Sequence, residues 1–485
     1  MIAMTLGEIA GIVSGRLHGA DPDTVVTGRV EFDSRTVTVG GLFLALPGDH
    51  VDGHDYVGEA IAHGAAAALV SRPVEGPHIE VADGFAALAA LAGAVARRLS
   101  DTTVVAITGS SGKTSTKDVL AQLLRRLGPT VAPPGSFNNE LGHPYTVLLA
   151  GADTRFLVLE ASARGLGHIA FLASIAPPRI GVVLNVGTAH LGEFGSREAI
   201  AAAKGELVEA LPEARDGGVA VLNADDPLVL AMAARTVARV VTVGTAAGAD
   251  VRAVDITHDD LGRPGFALQA AGGSAPVRLQ LVGAHHVGNA LAAAAVALEC
   301  GMTLAEVADA LGQVVATSRW RMELTERADG VLVINDAYNA NPESMQAALA
   351  ALASIAGHRA GAGGRSFAVL GPMAELGDDG PAAHEDLGRL AVRTGVDRIV
   401  AVGEQARSIE LGAALEGSGN GSTKWVPDAD GAIAVLRNEL RAGDVVLVKA
   451  SRSASLERVA LAIADDSCAG TVPGADADTT GGTAA

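Results

Sequence analysis

The stretch Thr103-Val-Val-Ala-Ile-Thr-Gly-Ser-Ser-Gly-Lys-Thr114 decides how this chain is read. Residues 103–107 form a compact β-branched run, the pattern of a buried strand. Gly109-Ser110-Ser111-Gly112-Lys113-Thr114 follows. Beyond it, Val119, Leu120, Leu123, Leu124 and Leu127 recur with the spacing of one helix face, and Gly128 and Pro129 stop the helix. Strand, glycine loop and helix together make a phosphate cradle. The glycines let backbone N–H groups converge on phosphate oxygens, and the helix start adds partial positive charge. Lys113 supplies a point charge for the β- and γ-phosphates, and the Thr114 hydroxyl can ligate Mg²⁺. The loop is a shortened variant of the usual Gly-rich pattern, with Thr108 immediately before its first glycine. Read in isolation, the alternative is a Gly-rich turn carrying an exposed lysine.

Working outward, the chain has 485 residues, a length for two to four domains. Hydrophobic residues make up 49% and aromatics only 3%, so the core is mainly aliphatic. This composition excludes global disorder. A net charge of −19 excludes a dedicated nucleic-acid surface, which needs a basic face. It leaves room for an anionic small molecule in a locally basic pocket. The two cysteines, Cys300 and Cys468, form no disulfide framework or metal-ligand pattern. No run approaches the roughly 18 apolar residues of a membrane span. Met1 to Gly15 carries Glu8 and no basic start, so neither a signal peptide nor membrane insertion is expected. The expectation is a cytoplasmic monomer.

The rhythm of apolar runs divides the chain into residues 1–100, 101–317 and 318–465, with a disordered Gly/Ala/Asp/Thr tail at 466–485. The first block holds runs at 41–46 and 65–70 and a helix at 85–99. The second alternates buried strands at 103–107, 156–159, 180–184 and 219–222 with helical stretches, the signature of a parallel α/β sheet. The third repeats this with strands at 331–334, 367–370, 398–402 and 445–448 and helices at 343–356, 381–394 and 430–441.

Further segments occur in a telling order: Ser136-Phe-Asn-Asn-Glu-Leu-Gly-His-Pro144, Leu159-Glu-Ala-Ser-Ala-Arg164, Asn185-Val-Gly-Thr-Ala-His-Leu191, Lys204-Gly-Glu-Leu207, Leu222-Asn-Ala-Asp-Asp-Pro227, Gly283-Ala-His-His-Val-Gly-Asn289, Asp336-Ala-Tyr-Asn-Ala-Asn-Pro-Glu-Ser344 and Val448-Lys-Ala-Ser-Arg452. With the shortened phosphate loop, this ordered set resembles the Mur ligase family, the ATP-dependent amide-forming ligases of peptidoglycan synthesis, over about 1–465. Asp336–Ser344 and Leu370-Gly-Pro-Met-Ala-Glu-Leu-Gly377 resemble the branch that adds D-alanyl-D-alanine to UDP-N-acetylmuramoyl-tripeptide (UDP-MurNAc-tripeptide). The chain departs from the family pattern at Ala161-Ser162, where Met-Gly is usual, and at Trp320 and Ala450, where glycine is usual.

The resemblance implies an α/β fold of three domains: an N-terminal UDP-substrate domain, a central P-loop ATPase-like parallel-sheet domain and a C-terminal Rossmann-like domain. It implies that ATP converts a carboxylate to an acyl phosphate, which an amine then attacks. Two Mg²⁺ sites and a CO₂-derived carbamate on Lys204 are implied with it. Lys113, Glu160, His190 and Lys204 match catalytic positions. Thr114, Glu160, His190 and carbamylated Lys204 match metal ligands. Thr108, Gly109, Ser110, Ser111, Gly112, Lys113, Thr114 and Ser115 match the phosphate loop, His285 and Asn289 the adenine contacts, Asp336 the ribose contact, and Arg321 a phosphate-reaching arginine with Arg319 as the alternative register. Ser34, Arg35 and Phe43 resemble the region that holds the uridine diphosphate. Asn138, Asn139 and Ser162 match substrate-positioning residues. Tyr338, Asn339, Asn341, Lys449, Ser451 and Arg452 fall in the block that receives the dipeptide. Sequence alone would put Lys204, with Glu206 and Glu209 nearby, on a helix surface. Two alternatives share the motifs: a family ligase that adds a single amino acid (diaminopimelate- or lysine-adding, or folylpolyglutamate type), and a degenerate nucleotide-binding scaffold. The intact charged set argues against the scaffold.

Overall fold

Three apolar sheets organise the computed structural model, which describes residues 1–48, 51–133, 135–188, 191–417 and 422–466. The expected tail lies outside the described residues except for Asp466, whose carboxylate takes two hydrogen bonds from Arg437. The first sheet has five strands in the order Arg16–His18, His78–Glu80, Ala67–Val70, Leu42–Leu44 and Val30–Glu31. Only its outermost pair, Arg16–His18 with His78–Glu80, is antiparallel.

The central sheet has nine strands. Thr103–Thr108 lies between Phe156–Glu160 and Ile180–Val183, and Val219–Asn223 and Arg239–Gly244 continue the parallel order. The inner strands are buried on both faces, so they read as unbroken apolar runs rather than alternating ones. Val105 and Ile107 pack on one side with Val119, Leu120 and Leu123 of the helix Lys113–Leu124; Ala106 faces the other. Each such Val or Leu is worth roughly 1.5–3 kcal/mol on full burial. The core on the Ala106 side continues without a break into the first sheet, through Leu88 and Leu91 of the helix Gly84–Arg98.

Sequence periodicity left out the far edge of this sheet. Val251–His258, Pro264–Ala270 and Gly273–Arg278 add an antiparallel meander. These strands are half-exposed and carry no compact apolar run.

The third sheet is also mainly parallel, in the order Glu323–Glu326, Leu332–Asn335, Val445–Lys449, Ser366–Leu370, Arg398–Val402 and Thr423–Val426, with only the first strand antiparallel. Helix Pro342–Arg359 covers one face and Ala429–Glu439 the other. Ala450 is fully buried, and its methyl lies where a Cβ on Gly371 would come within 2.7 Å. The added methyl is thus accommodated by a neighbouring glycine. Among the described residues, no helix is long and apolar enough to cross a membrane.

Candidate functional site

A cavity of about 700 Å³ opens where the carboxyl ends of the central and third sheets face each other. Ser110–Ser115 follow Thr103–Thr108, while Asn185, Asn223 and Gly244 follow or end neighbouring strands. Asp336 and Lys449 come from the equivalent ends in the third sheet. Ligand crevices of open α/β sheets form at such ends.

The phosphate loop is tightly fixed. Gly112 has φ +82°, and a Cβ there would sit 2.6 Å from Asn289 Oδ1, so only glycine fits. Asn289 Oδ1 itself accepts from the Thr116 hydroxyl at 3.2 Å. The Ser111 amide donates to Asn185 Oδ1 at 2.9 Å, and the Asn185 side chain donates back to Ser111 O at 3.2 Å. Lys113 Nζ donates to Gly109 O at 2.6 Å, bending the ammonium over its own loop. Burial lowers the Lys113 pKa, Arg321 lowers it further and Glu160 raises it. Thr108 is fully buried beneath the loop and does not line the cavity.

Glu160 ends the strand beside Thr103–Thr108 and is wholly buried. Its Oε2 accepts from the Thr114 hydroxyl at 3.1 Å and the Ser136 hydroxyl at 3.4 Å. Its Oε1 is buried with no hydrogen-bond partner and lies 4.0 Å from Lys117 Nζ. Burial raises the Glu160 pKa, opposed by Lys117, Lys113 and Arg321. A carboxylate with one unpartnered oxygen beside a hydroxyl is a hard oxygen donor pair, and it fits a Mg²⁺ ion. His190 lies outside the described residues.

Lys204 departs from the surface reading. Ser196 caps the helix Arg197–Glu209, and its buried stripe is Ile200, Ala203, Lys204, Leu207 and Val208. The Lys204 amine is pushed down to about 7, first by burial and then by the Lys113 charge. An amine that titrates at about 7 is largely unprotonated just above that pH, which fits the chemistry of CO₂ addition.

On the opposite wall, Lys449 Nζ donates to Asp336 Oδ2 at 2.6 Å and to Asn339 O at 2.8 Å. Asp336 Oδ1 accepts from the Met322 amide at 3.2 Å. His285 lines the cavity and stays exposed in it, while its neighbour His286 is buried. Arg321, not exposed Arg319, enters the cavity. Its guanidinium lies 4.2 Å from the Tyr338 ring centroid, and Nη2 is 3.4 Å from Thr114 Oγ1. Trp320 (φ +60°) and Met322 (φ +51°) flank it in the left-handed region, so Trp320 holds a backbone conformation that glycine adopts more easily.

Asn138, Asn139 and Ser162 line the cavity floor, where Asn138 Nδ2 donates to Ser136 Oγ at 2.8 Å and Asn139 Oδ1 accepts from the Gly142 amide at 2.9 Å. Asn341 caps helix Pro342–Arg359. Ser451 Oγ accepts from the Ala374 amide at 2.9 Å, and Arg452 lies over the Trp320 ring. The first-block residues do not join this cavity. Ser34 donates to Glu59 at 2.8 Å, and Arg35 is exposed and paired with Asp33. Phe43 is 1% exposed among Val37, Ala45 and Val57, so the structure makes it a core residue with no ring face for a ligand.

Three site residues escaped the sequence reading. Lys117, one turn beyond Lys113, donates to Pro133 O at 2.6 Å and Gly135 O at 2.9 Å and bears on Glu160. Its i, i+4 spacing from Lys113 was a usable signal. His143 Nδ1 lies 3.1 Å from Glu160 O, and burial pushes its ring down to about 4. Glu343 reaches Thr188 across the cavity, a contact that sequence spacing does not reveal.

Residues 107–297 match the Mur ligase middle domain, 320–452 the Mur ligase glutamate ligase domain, and 28–99 the catalytic domain of the Mur ligase family. The chain is 53% identical, over 98% of its length and 100% of the relative's, to UDP-N-acetylmuramoyl-tripeptide–D-alanyl-D-alanine ligase of Mycobacterium bovis. Its fold is similar to MurF of Acinetobacter baumannii, with a TM-score of 0.84 and 32% identity over 96% of this chain and 99% of that one. It is also similar to the ADP complex of MurF ligase from Thermotoga maritima, with a TM-score of 0.77 and 31% identity over 91% and 98% of the two chains.

Proposed function

The chain belongs to the Mur ligase family, and we propose that it is the ADP-forming ligase that joins D-alanyl-D-alanine to UDP-MurNAc-tripeptide. The observation that carries this reading is the full-length 53% identity to a relative of that name. The ADP held by a fold neighbour supports ATP as the co-substrate. A UDP-linked precursor is water-soluble, which suits a cytoplasmic enzyme without membrane insertion. One chain carries every group invoked below, so a monomer is a sufficient working unit.

The chemistry proceeds in two displacements. A tripeptide carboxylate oxygen attacks the γ-phosphorus, the bond to the bridging oxygen breaks and ADP leaves. The dipeptide amine then attacks the acyl-phosphate carbon, the carbon–oxygen bond breaks, inorganic phosphate leaves and the amine proton passes to solvent. Such a reaction is governed by positioning and charge neutralisation. The Gly109–Gly112 backbone and Lys113 hold the β- and γ-phosphates, and Arg321 approaches the same oxygens from the third sheet. Thr114 and Glu160 would hold Mg²⁺, and a second ion would rest on Lys204 as carbamate with His190. Mg²⁺ supplies positive charge at the phosphate oxygens when bound. Lys204, whose amine titrates at about 7 and so is half deprotonated at that pH, provides the lone pair that CO₂ needs; the product exchanges a buried neutral amine for an anion. Asn289 and His285 form the base side of the nucleotide pocket, and Asp336, oriented by Lys449, the ribose side. Asn138, Asn139 and Ser162 position the acceptor. Tyr338, Asn339, Asn341, Ser451 and Arg452 face the incoming dipeptide. The working units are residues 1–100 for the UDP substrate, 101–317 for ATP and 318–465 for the amine.

The test is product mass. Full-length protein incubated with ATP, Mg²⁺, UDP-MurNAc-tripeptide and D-alanyl-D-alanine should convert the tripeptide to a species heavier by the dipeptide less water. Growth by one amino acid only, when single amino acids are offered, would replace this reading with the single-residue ligase. No growth with any amine would replace it with the scaffold.

A further inference from the structure

Glu343 is the second residue of helix Pro342–Arg359, where an acidic side chain ordinarily serves the helix dipole from solvent. Here it does something else. Asn341 and Ser344 form a reciprocal capping box that fixes the first turn, and the Glu343 carboxylate leaves its own helix for the central sheet. Its Oε1 accepts from the Thr188 amide at 2.6 Å and the Thr188 hydroxyl at 2.9 Å. Gly187 packs against it so closely that a Cβ would lie 2.6 Å from the carboxylate carbon. The Gly187 amide in turn donates to Ser110 Oγ in the phosphate loop at 2.9 Å. From the same helix start, Asn341 Nδ2 lies 3.5 Å from Ser110 O. On its far side the segment 186–188 is pinned to the central sheet's own connections: the Val186 amide donates to Asp226 at 2.8 Å and Arg197 donates to Val186 O at 2.8 Å. Glu343 Oε2 is buried without a hydrogen-bond partner. Helix capping alone would not require that desolvation, because an exposed glutamate serves a helix start equally well.

We propose that Glu343 is a clasp that fastens the third-sheet domain to the phosphate loop through Gly187–Thr188, and so is a positioning residue for phosphoryl transfer. It touches no reacting atom; it sets where Ser110 stands relative to Arg321, Asp336 and the amine-binding wall. Its effect on turnover rests on the ligase reading above, whereas the clasp contact does not.

The experiment compares full-length wild type, Glu343→Ala and Glu343→Gln by amide hydrogen exchange without ligand and by steady-state phosphate release. In Glu343→Ala the Gly187 and Thr188 amides should exchange faster. Its kcat should fall about ten- to hundredfold, with KM for the UDP substrate changed less than about threefold, the signature of lost alignment rather than lost binding. Glu343→Gln keeps an oxygen to accept from Thr188 and should return kcat to within about threefold of wild type. Unchanged exchange in Glu343→Ala, an unchanged kcat despite faster exchange, or a Gln variant as impaired as the Ala variant would each overturn the clasp. Should Glu343→Ala fail to fold, Thr188→Val, which removes only the hydroxyl donor, should show the same changes in smaller size, and no change there would overturn it. A wild type that releases no phosphate refutes the ligase reading, and the exchange comparison still judges the clasp.

Discussion

Two short segments carry the residue types of an anion site, Gly109–Thr114 and Asp33–Arg35, and the fold treats them differently. In the first, the loop amides are fixed by Asn185, Gly112 is locked against Asn289, and Lys113 lines a cavity with Arg321 and with Thr114, behind which Glu160 is buried. In the second, the Arg35 guanidinium lies in solvent and is already spent on Asp33, whose carboxyl it holds down at about 2. Ser34 is likewise spent on Glu59. A basic residue beside a hydroxyl is therefore not by itself a preformed cradle. Backbone donors fixed by a strand, a left-handed glycine and an opposing wall make one.

The largest effect should come from the buried cluster. Lys113→Ala should lower kcat by about a thousandfold, roughly 4 kcal/mol, in phosphate-release assays, because it removes fixed charge from the phosphates. A loss under tenfold would erase the distinction between the two segments.

Next is the wall that faces the loop. Lys449→Met leaves the Asp336 carboxylate buried beside an apolar chain and should destabilise the protein by about 3 kcal/mol in urea unfolding. An unchanged midpoint would mean that Asp336 finds water instead.

Lys204 gives a smaller, pH-dependent effect. Its amine titrates near 7 folded against the ordinary 10.5, so the unfolded chain binds more protons between those values. Stability therefore rises with pH across that window, and the penalty is largest below 7. In CO₂-free buffer Lys204→Met should be more stable than wild type at pH 6, and the gain should fade towards pH 10. A gain independent of pH would contradict this.

The smallest effect belongs to Arg35→Ala. It should leave Tm unmoved and change kcat/KM for the UDP substrate by less than about threefold, as expected for an exposed, self-paired side chain. A tenfold rise in KM would show that substrate prises Arg35 from Asp33 and would bring the two segments closer together.

These contrasts also mark how far sequence can be read. The inner parallel strands of the central and third sheets were legible because burial on both faces leaves continuous aliphatic runs, whereas the partly exposed parallel strands Thr130–Val131, Arg239–Gly244 and Thr423–Val426 were not. Val251–Arg278 was not, because a half-exposed meander carries little contrast. The phosphate loop was legible because its parts are contiguous. Lys204 reads as a surface lysine when only Glu206 and Glu209 are weighed. Ile200, Ala203, Leu207 and Val208 place it within a buried stripe, a signal present in the helical spacing. Phe43 went the other way: an aromatic near Asp33–Arg35 suggested a ligand surface, but the alanine-rich run around it needed a large side chain to fill the core. Arg321 was legible only as one of two registers. Its backbone, bracketed by Trp320 and Met322 in left-handed conformations, is a tertiary property. Contacts between domains, such as Lys113 with Arg321 or Glu343 with Thr188, join residues more than 150 positions apart and leave no local pattern.

The central claim is that this cavity activates a carboxylate by phosphorylation before the amine arrives. Oxygen transfer tests it most directly. UDP-MurNAc-tripeptide with its terminal carboxylate labelled with ¹⁸O is turned over with ATP, Mg²⁺ and D-alanyl-D-alanine, and the released phosphate is weighed by mass spectrometry. One ¹⁸O atom in each inorganic phosphate is the predicted result, because the carboxylate oxygen leaves with the phosphoryl group. Phosphate free of label, with the amide formed, would contradict the account.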